Sequence, residues 1–247
     1  MVTTPKALAC LAEDGYAIIA GFLSAQQVSL WRSAVAASLL DEPPAVGRTG
    51  PYFLWPELSS GTSPFRALYQ DSGIEYCVNR LLRSDLRLEP PEHAQLAITL
   101  PPHPRHPGAP HIDGLTPPEA DGRPGTFTVL AGLLLTDQQQ PSRGNLWVWP
   151  GSHHGAAEWL RQTGPDALRD AVPYPPIELG EPRQVTAPAG SLVLVHYLLA
   201  HNIGGHFGTA ADERRETVYF RLRAEGHRAN WREALLAPLS EFAIPEL

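Results

Sequence analysis

Two side chains near the middle of this 247-residue chain could together hold a metal ion. His111 and Asp113 are separated by one residue and follow a proline-rich loop. In an extended chain, residues two apart point to the same face, so this imidazole and this carboxylate would converge on one point. Mixed nitrogen and oxygen ligands suit a divalent metal. The same pair also fits a strand end at the surface, where the two side chains share a local hydrogen bond.

Three histidines compete to complete such a site. They are His196, His201 and His206, in or just after the apolar run of residues 191–199. Along an ideal strand His196 and His201 have opposite parity, so they cannot both face one interior. Each of the three also fits a hydrogen-bonded histidine of the core or of a loop. Two histidines and one carboxylate are the ligand set of non-haem iron oxygenases, which leaves metal positions open.

An arginine pair follows these histidines. Arg214 and Arg215 begin a β-rich run that ends at Leu222. An arginine at the start of a strand can point into a barrel, where its planar guanidinium can hold a carboxylate through two hydrogen bonds. A surface salt bridge with a neighbouring acidic residue is the commoner arrangement of such a pair. The order of the three groups favours a metal site with an arginine that anchors an acidic co-substrate.

Short β-rich runs bounded by glycine and proline must position these residues. They span residues 94–100, 126–135, 146–149, 183–186, 191–199 and 217–222, and a helical segment over 155–170 interrupts them. Before residue 90 the patterns predict helices over 7–14 and 65–85, a strand over 16–19 and a loop over 41–64. A further helix is predicted to begin after Ser24, because Gln27 completes a capping box with it. This order favours a sandwich or jelly-roll barrel behind N-terminal helices over a parallel sheet.

The turn Pro150-Gly151-Ser152-His153 is predicted to have a structural role. Ser152 would cap the helix that follows it, because a serine hydroxyl can accept a hydrogen bond from the first free backbone N–H groups. His153 and the adjacent His154 are expected to be exposed.

Composition and charge limit the possible partners. Apolar residues make up 43% and charged residues 18% of the chain, which is typical of a globular protein. A net charge of -7 with a single lysine, Lys6, argues against nonspecific binding to nucleic acid. The two cysteines lie far apart, which fits a reducing compartment. With no signal-like start and no apolar run of about 20 residues, we expect a cytoplasmic protein without a membrane partner. The oligomeric state stays open.

Longer stretches around these residues resemble the phytanoyl-CoA dioxygenase family of Fe(II)/2-oxoglutarate oxygenases. The stretches are DGYAIIAGFLSAQQVSLWRSAV, HIDG, RGNLWVWPGSHH, SLVLVHYLLAHN and RRETVYFRL, which together cover nearly the whole chain. The resemblance implies an α+β protein with a mainly β core, a double-stranded β-helix of the jelly-roll or cupin type, and flanking N-terminal helices. It implies one domain over 1–247, with helical support in 1–90, the jelly-roll core in 91–225 and a tail in 226–247.

The resemblance assigns metal ligands to individual positions. His111, Asp113 and His201 would bind iron. His201 is preferred to His196 because the family's distal histidine follows the apolar run and directly precedes the glycine turn. Because Asp113 keeps the carboxylate that related halogenases replace with a small residue, halogenation is not expected.

The resemblance also assigns residues to the co-substrate, 2-oxoglutarate. Arg215 would bind its 5-carboxylate, with Arg214 as the alternative, although the loop before the pair is longer than usual in the family. Thr126 or Thr128 would supply a hydroxyl close to that carboxylate. Gln95, on the strand before the metal pair, corresponds to a polar residue near the co-substrate in related enzymes.

Five residues are predicted to contact the substrate: His206, Arg221, Trp147, Phe53 and Trp55. His206 stands where the family usually has an asparagine. Arg221 shares the parity of Arg215 and would face the interior, although a salt bridge is the alternative. Trp147, Phe53 and Trp55 could instead serve packing alone.

The implied activity uses Fe(II), 2-oxoglutarate and O2 to hydroxylate an unactivated carbon of a small molecule, with release of succinate and CO2. The substrate would be a natural-product intermediate or an amino acid. An acyl-CoA is disfavoured because the chain has few cations for its phosphates. Desaturation, epimerisation and cyclisation use the same centre and stay open. A cupin-like metal-dependent isomerase or hydrolase stays open as well, as does a barrel that binds a small acid without catalysis.

Overall fold

The short strands of this chain form two antiparallel sheets. The computed structural model describes residues 4–105, 107–115, 117–209 and 213–244. The elements before the first core strand are α1 (Thr4–Glu13), β1 (Tyr16–Ile19), α2 (Ala25–Asp41), β2 (Gly50–Leu54), α3 (Pro64–Ser72) and α4 (Ile74–Asn79). The later elements are β3 (Gln95–Leu100), β4 (Val129–Leu134), β5 (Leu146–Val148), α5 (Ser152–Thr163), β6 (Arg183–Gln184), β7 (Leu192–His196), β8 (His201–Ile203), β9 (Arg215–Leu222) and α6 (Trp231–Leu236). A 3-10 helix over Pro165–Asp170 follows α5.

The large sheet has six strands in the order β1-β7-β4-β9-β3-β2, and the small sheet has the order β6-β5-β8. Strand β9 lies between β4 and β3 and has two different faces, because successive side chains alternate across a strand. Val218 and Phe220 face the helices, whereas Arg215, Tyr219 and Arg221 face the small sheet.

An aromatic cluster joins the helices to the outer face of the large sheet. Trp31 of α2 lies with its ring centroid 5.9 Å from that of Phe220 and 6.0 Å from that of Phe65. Tyr69 of α3 lies 5.0 Å from Phe220. Large buried rings each remove a large apolar area from water, so this cluster helps to fix the helices on the sheet.

The space between the two sheets holds a second apolar cluster. Ala97 and Leu130 of the large sheet and Leu146 and Val148 of the small sheet belong to it, all of them buried. Polar side chains of β9 enter the same space from its centre. The fold therefore directs the predicted site residues of β9 into an interior between two sheets.

Most of the sequence-predicted elements are present, with boundaries shifted by a few residues. Ser24 and Gln27 form the expected capping box at the start of α2. The helix predicted over 65–85 is instead two helices, because Gly73 adopts φ 81 between them. The run over 191–199 is also divided, since β7 ends at His196 and a turn precedes β8.

Two expectations for the segments outside the core strands were incomplete. The loop predicted over 41–64 contains β2, which pairs with β3, and β1 pairs with β7. The N-terminal segment therefore supplies both edge strands of the large sheet in addition to its helices. The C-terminal segment contains α6. In the described ranges, no helix combines the length and the apolar character needed to cross a membrane.

The expectations for the turn before α5 were wrong in two respects. Gly151 is the N-cap of α5, and the hydroxyl of Ser152 instead accepts a hydrogen bond from the backbone N–H of Ala200 at 2.9 Å. His153 is completely buried rather than exposed, and its ring centroid lies 5.2 Å from that of His196. His154 is exposed, as expected.

Burial favours the neutral imidazoles of His153 and His196. It lowers the pKa of His153 to about 2, with further contributions from His196 and His154. It lowers the pKa of His196 to about 4. His196 also accepts a hydrogen bond at Nδ1 from the backbone of Leu198, so it belongs to the core.

Candidate metal centre and its cavity

Backbone pairing brings the two predicted histidine ligands together. The N–H of His111 donates to the carbonyl of His201 at 3.1 Å, and the N–H of His201 donates to the carbonyl of His111 at 3.3 Å. Their ring centroids lie 4.6 Å apart. Asp113 Oδ1 lies 3.4 Å from Nε2 of His111 and 3.7 Å from Nε2 of His201. All three ligand atoms lie within 4.8 Å of one another, so the three residues could hold a metal ion.

A second hydrogen bond orients His201 for this role. Its Nδ1 lies 2.9 Å from the carbonyl oxygen of Leu199. A carbonyl oxygen only accepts, so Nδ1 carries a proton and Nε2 is the ring nitrogen that faces Asp113 and could bind a metal. Gly114 follows Asp113 with φ 78, where any Cβ would collide with the carbonyl of Gly125. This position therefore needs glycine for the turn that aims Asp113.

The surroundings of His111 and Asp113 favour the protonation states in which these two side chains bind a metal. Burial lowers the pKa of His111, and the nearby His201 lowers it further. Burial by itself would raise the pKa of Asp113, but contacts with His111 and His201 and the charge of Arg221 hold that pKa well below its usual range. An ionised carboxylate and neutral imidazoles are the ligating forms of these side chains.

A cavity of about 330 Å³ opens beside the three residues. Its wall includes Phe53, Trp55, Gln95, Leu146, Tyr219 and Arg221. A second cavity of about 280 Å³ adjoins it and shares Trp55, Gln95, Tyr219 and Arg221. The two spaces form one crevice that is large enough for a small molecule.

Arg215 lies deeper between the sheets and is 1% exposed. Its Nη2 donates to the hydroxyl of Tyr219 at 2.7 Å, and its Nε donates to Oε1 of Gln138 at 3.2 Å. Its Nη1 is buried without a hydrogen-bond partner among the described residues. Because buried polar atoms are nearly always paired, this unpaired donor indicates a missing acceptor.

Thr99 lies directly opposite Arg215 in the pairing of β3 with β9. Its hydroxyl is also buried, and no described residue pairs with it. A Cβ at Gly144 would lie 3.0 Å from Cβ of Thr99 and 3.1 Å from Cδ of Arg215. Any larger residue here would therefore crowd both side chains. An unpaired guanidinium nitrogen and an unpaired hydroxyl next to each other fit a carboxylate.

The register of the arginine pair follows from these contacts. Arg214 lies on the opposite side of the strand and forms a salt bridge with Glu216 at 2.7 Å. Arg215 is therefore the arginine that faces the interior.

The expectation that Thr126 or Thr128 lies near Arg215 was wrong. Thr126 and Thr128 contact His227, and Thr128 also bonds the backbone of Ala224. Thr128 pairs with Leu222, seven residues from Arg215 along β9, which corresponds to roughly 23 Å. Thr99 is the hydroxyl that accompanies Arg215. It shares the parity of Gln95 on the predicted strand, a signal that could have identified it.

The predicted substrate residues divide into two groups. Phe53, Trp55 and Arg221 line the cavity, and Phe53 and Trp55 are 40% and 46% exposed at its mouth. His206 is fully buried: its Nδ1 accepts from the N–H of Gly208 at 3.1 Å, so its Nε2 donates to the carbonyl of Glu213 at 2.8 Å. His206 therefore fixes a loop and was wrongly expected at the substrate.

Trp147 was also expected at the cavity wall, and the structure places it elsewhere. The residues on either side of it in β5, Leu146 and Val148, are buried between the sheets, so Trp147 points to the opposite face. Its indole lies against Gly204, where a Cβ would collide with it. Of the described residues in β5, Leu146 lines the cavity.

Comparison with known proteins agrees with this geometry. The sequence profile of the phytanoyl-CoA dioxygenase (PhyH) family matches residues 11–215. No curated protein matches the sequence. Among solved structures, the chain is similar to the non-heme alpha-ketoglutarate-dependent epimerase SnoN from nogalamycin biosynthesis, with 21% identity over 90% of this chain and 83% of that chain and a TM-score of 0.60.

Two further solved structures are similar at comparable levels. HygX from Streptomyces hygroscopicus, with nickel and 2-oxoglutarate bound, has 20% identity over 88% of this chain and 86% of that chain and a TM-score of 0.56. The non-heme alpha-ketoglutarate-dependent carbocyclase SnoK has 18% identity over 88% of this chain and 83% of that chain and a TM-score of 0.60. At these identities the likeness establishes the fold.

Proposed function

The chain belongs to the phytanoyl-CoA dioxygenase family, and on that premise we propose that it is an Fe(II)- and 2-oxoglutarate-dependent oxygenase acting on a small molecule. In this proposal the two antiparallel sheets are those of a jelly-roll barrel. One observation carries the proposal: a His-Asp-His cluster and a buried arginine with an unpaired nitrogen belong to the same interior. A metal isomerase or hydrolase would have no need of that arginine.

The donor set fits iron. His111, Asp113 and His201 offer two nitrogens and one oxygen, which is the facial set that leaves positions free on ferrous iron. Iron and 2-oxoglutarate, when bound, supply the oxidising power to remove hydrogen from an unactivated carbon. The protein's task is then to hold the ligands, orient the co-substrate and exclude water.

The second carboxylate of the co-substrate fits Arg215 and Thr99. Nη1 of Arg215 and the hydroxyl of Thr99 are the two unpaired groups described above. Tyr219 lies between the cavity and Arg215, and it accepts a hydrogen bond from Arg215 while its ring lines the cavity. We place the distal carboxylate at these residues and the amide of Gln95 beside the end of the co-substrate that faces the metal.

The crevice favours a substrate with an apolar surface and at least one acceptor oxygen. The rings of Phe53 and Trp55 offer the apolar wall. Nε of Arg221 is buried and unpaired within the described chain, so it can donate to an oxygen of the substrate. We propose hydroxylation of a natural-product intermediate or an amino acid at this position.

Epimerisation and cyclisation are the second candidate reactions. They are favoured by the fold, because SnoN and SnoK, which share it, are an epimerase and a carbocyclase. Product analysis distinguishes the two candidates, since hydroxylation adds one oxygen atom to the substrate mass, whereas epimerisation leaves the mass unchanged and cyclisation lowers it by two hydrogens.

An anaerobic titration tests the proposal. Metal-free protein receives Fe(II) and then 2-oxoglutarate, and visible absorbance is recorded. A keto acid chelated to ferrous iron gives a weak charge-transfer band, which we expect in the wild-type protein and not in His111→Ala. If iron binds and no band forms, the 2-oxoglutarate assignment fails, and a metal-dependent isomerase or hydrolase becomes the leading interpretation.

A further inference from the structure

The two oxygens of Asp113 have different partners. Oδ1 faces Nε2 of both His111 and His201, at 3.4 and 3.7 Å. Oδ2 lies 3.2 Å from Nη2 of Arg221. We propose that Arg221 is a positioning residue that restricts Asp113 to one metal-binding oxygen, an inference that rests on the proposed function.

Chemistry supports this division of the carboxylate. A carboxylate can bind a metal through one oxygen or through both. Oδ2 forms an ion pair with the guanidinium of Arg221, and the attraction between the two opposite charges keeps this oxygen beside the arginine. With Oδ2 engaged in this way, Oδ1 alone is available to the metal.

Arg221 is itself held in place by its surroundings. Its guanidinium carbon lies 5.0 Å from the ring centroid of Trp55 and 5.9 Å from that of Phe127. Both distances are within the range of cation–π attraction. Its backbone pairs with Leu130 in the middle of the large sheet. Contacts with two rings and a position in the middle of the sheet therefore hold this partly exposed cation against the cavity wall.

The consequence concerns the number of free metal positions. A six-coordinate metal held by two imidazole nitrogens and Oδ1 keeps three positions for other ligands. If both oxygens of Asp113 were bound, two positions would remain, and a chelating keto acid would occupy both. Arg221 thus preserves a third position, which the co-substrate does not use.

The number of exchangeable waters on Mn(II) measures this directly and needs no turnover. Water proton relaxation is recorded for Mn(II)-loaded protein before and after addition of 2-oxoglutarate. For the wild-type protein we expect three waters and then one. For Arg221→Met we expect two and then none, so that the initial relaxation enhancement falls by about one third.

Two further variants make the result specific. Arg221→Lys keeps a cation that can donate to Oδ2 and is expected to restore the wild-type counts. Arg223→Met is the matched control, because Arg223 lines the adjoining cavity and bonds the carbonyl of Thr126 and the side chain of Glu119. For this control we expect three waters on Mn(II) without 2-oxoglutarate and one water with it.

If Arg221→Met has three waters on Mn(II) before 2-oxoglutarate is added and one afterwards, the inference is overturned. An Arg221→Met protein that binds no Mn(II) would also overturn it, because the inference assigns Arg221 to the geometry of Asp113 and not to the affinity of the site. Failure of the proposed function is distinguishable: in that case 2-oxoglutarate displaces no water from the wild-type protein, while the count with metal alone still decides the role of Arg221.

Discussion

Replacement of Arg215 by methionine separates co-substrate binding from folding. The side chain is 1% exposed, and its guanidinium has two protein partners and one nitrogen, Nη1, that no described residue pairs. Methionine is unbranched and flexible, so it can fill the same channel without a polar group. The substitution is expected to weaken 2-oxoglutarate binding without destabilising the fold.

The affinity for 2-oxoglutarate should fall steeply. A hydrogen bond to a charged group contributes about 1.5–3 kcal/mol, and a carboxylate bound to Arg215 would lose at least one such bond together with the paired charge. We therefore expect a loss of about 3–4 kcal/mol, which corresponds to a dissociation constant roughly 100- to 1000-fold higher. Calorimetric titration of the Mn(II)-loaded protein measures it.

The free energy of unfolding of the ligand-free protein should change little or rise. The substitution removes hydrogen bonds from the charged guanidinium to Tyr219 and Gln138, each worth about 1.5–3 kcal/mol. It also removes a buried charge whose desolvation costs several kcal/mol. Urea unfolding of metal-free protein measures the balance.

Arg214→Met is the control, since Arg214 pairs with Glu216 on the opposite side of the strand. It should leave the 2-oxoglutarate affinity within about threefold of wild type. Destabilisation of Arg215→Met by more than about 3 kcal/mol would show that Arg215 is structural. Unchanged binding of 2-oxoglutarate would refute the assignment of Arg215 to the co-substrate.

Three further predictions concern the metal, the packing and the histidine cluster. Substitution of His111 by alanine should abolish retention of Fe(II) in a metal assay after gel filtration, because two ligands hold the metal poorly; stoichiometric iron in the variant would contradict the site. Gly132→Ala places a Cβ 2.7 Å from Cδ1 of Tyr219, so it should lower the free energy of unfolding in urea by about 1–3 kcal/mol and weaken 2-oxoglutarate binding. If neither the unfolding free energy nor the affinity changed, the ring of Tyr219 would be free to move aside. The pKa values of His153 and His196 are about 2 and about 4 in the folded protein and 6.5 ordinarily, so the unfolded chain binds more protons below pH 6.5. The contribution of the two neutral histidines to the free energy of unfolding should therefore be fully present above pH 7 and should fall by roughly 2 kcal/mol per histidine between pH 7 and pH 5. His153→Leu should about halve this pH dependence, and His154→Ala should leave it unchanged.

Spacing predicted half of the candidate metal centre, and the family resemblance supplied the rest. His111 and Asp113 share a face because they are two residues apart, and the family resemblance selected His201 over His196; the structure brings all three together. Parity along β9 predicted that Arg221 faces the same interior as Arg215. Local spacing suffices wherever a single strand fixes the direction of a side chain.

The remaining contacts depend on pairing between strands distant in sequence. Thr99 meets Arg215 only because β3 pairs with β9 in one register. The displacement of Thr128 to the far end of β9 follows from the pairing of β4 with β9. His206 and His153 are buried by loops and turns from other parts of the chain, which no periodicity reports. Strand β2 was missed because its residues lack a regular alternation of apolar and polar types.

The unequal size of the two sheets has a dynamic consequence. The strands β6, β5 and β8 have only two or three residues each, and sheets of such short strands open locally more easily than long ones. His201 belongs to this sheet, and His111 pairs with it at the edge. A metal bound between these residues would penalise their separation by about 2.7 kcal/mol at a hundredfold excess over its dissociation constant. Amide hydrogen exchange at His201 and Val148 should then slow by about 100-fold, while exchange in β4 and β9 keeps its rate. The availability of metal would thus control how often the small sheet opens locally and leave local opening of the large sheet unchanged.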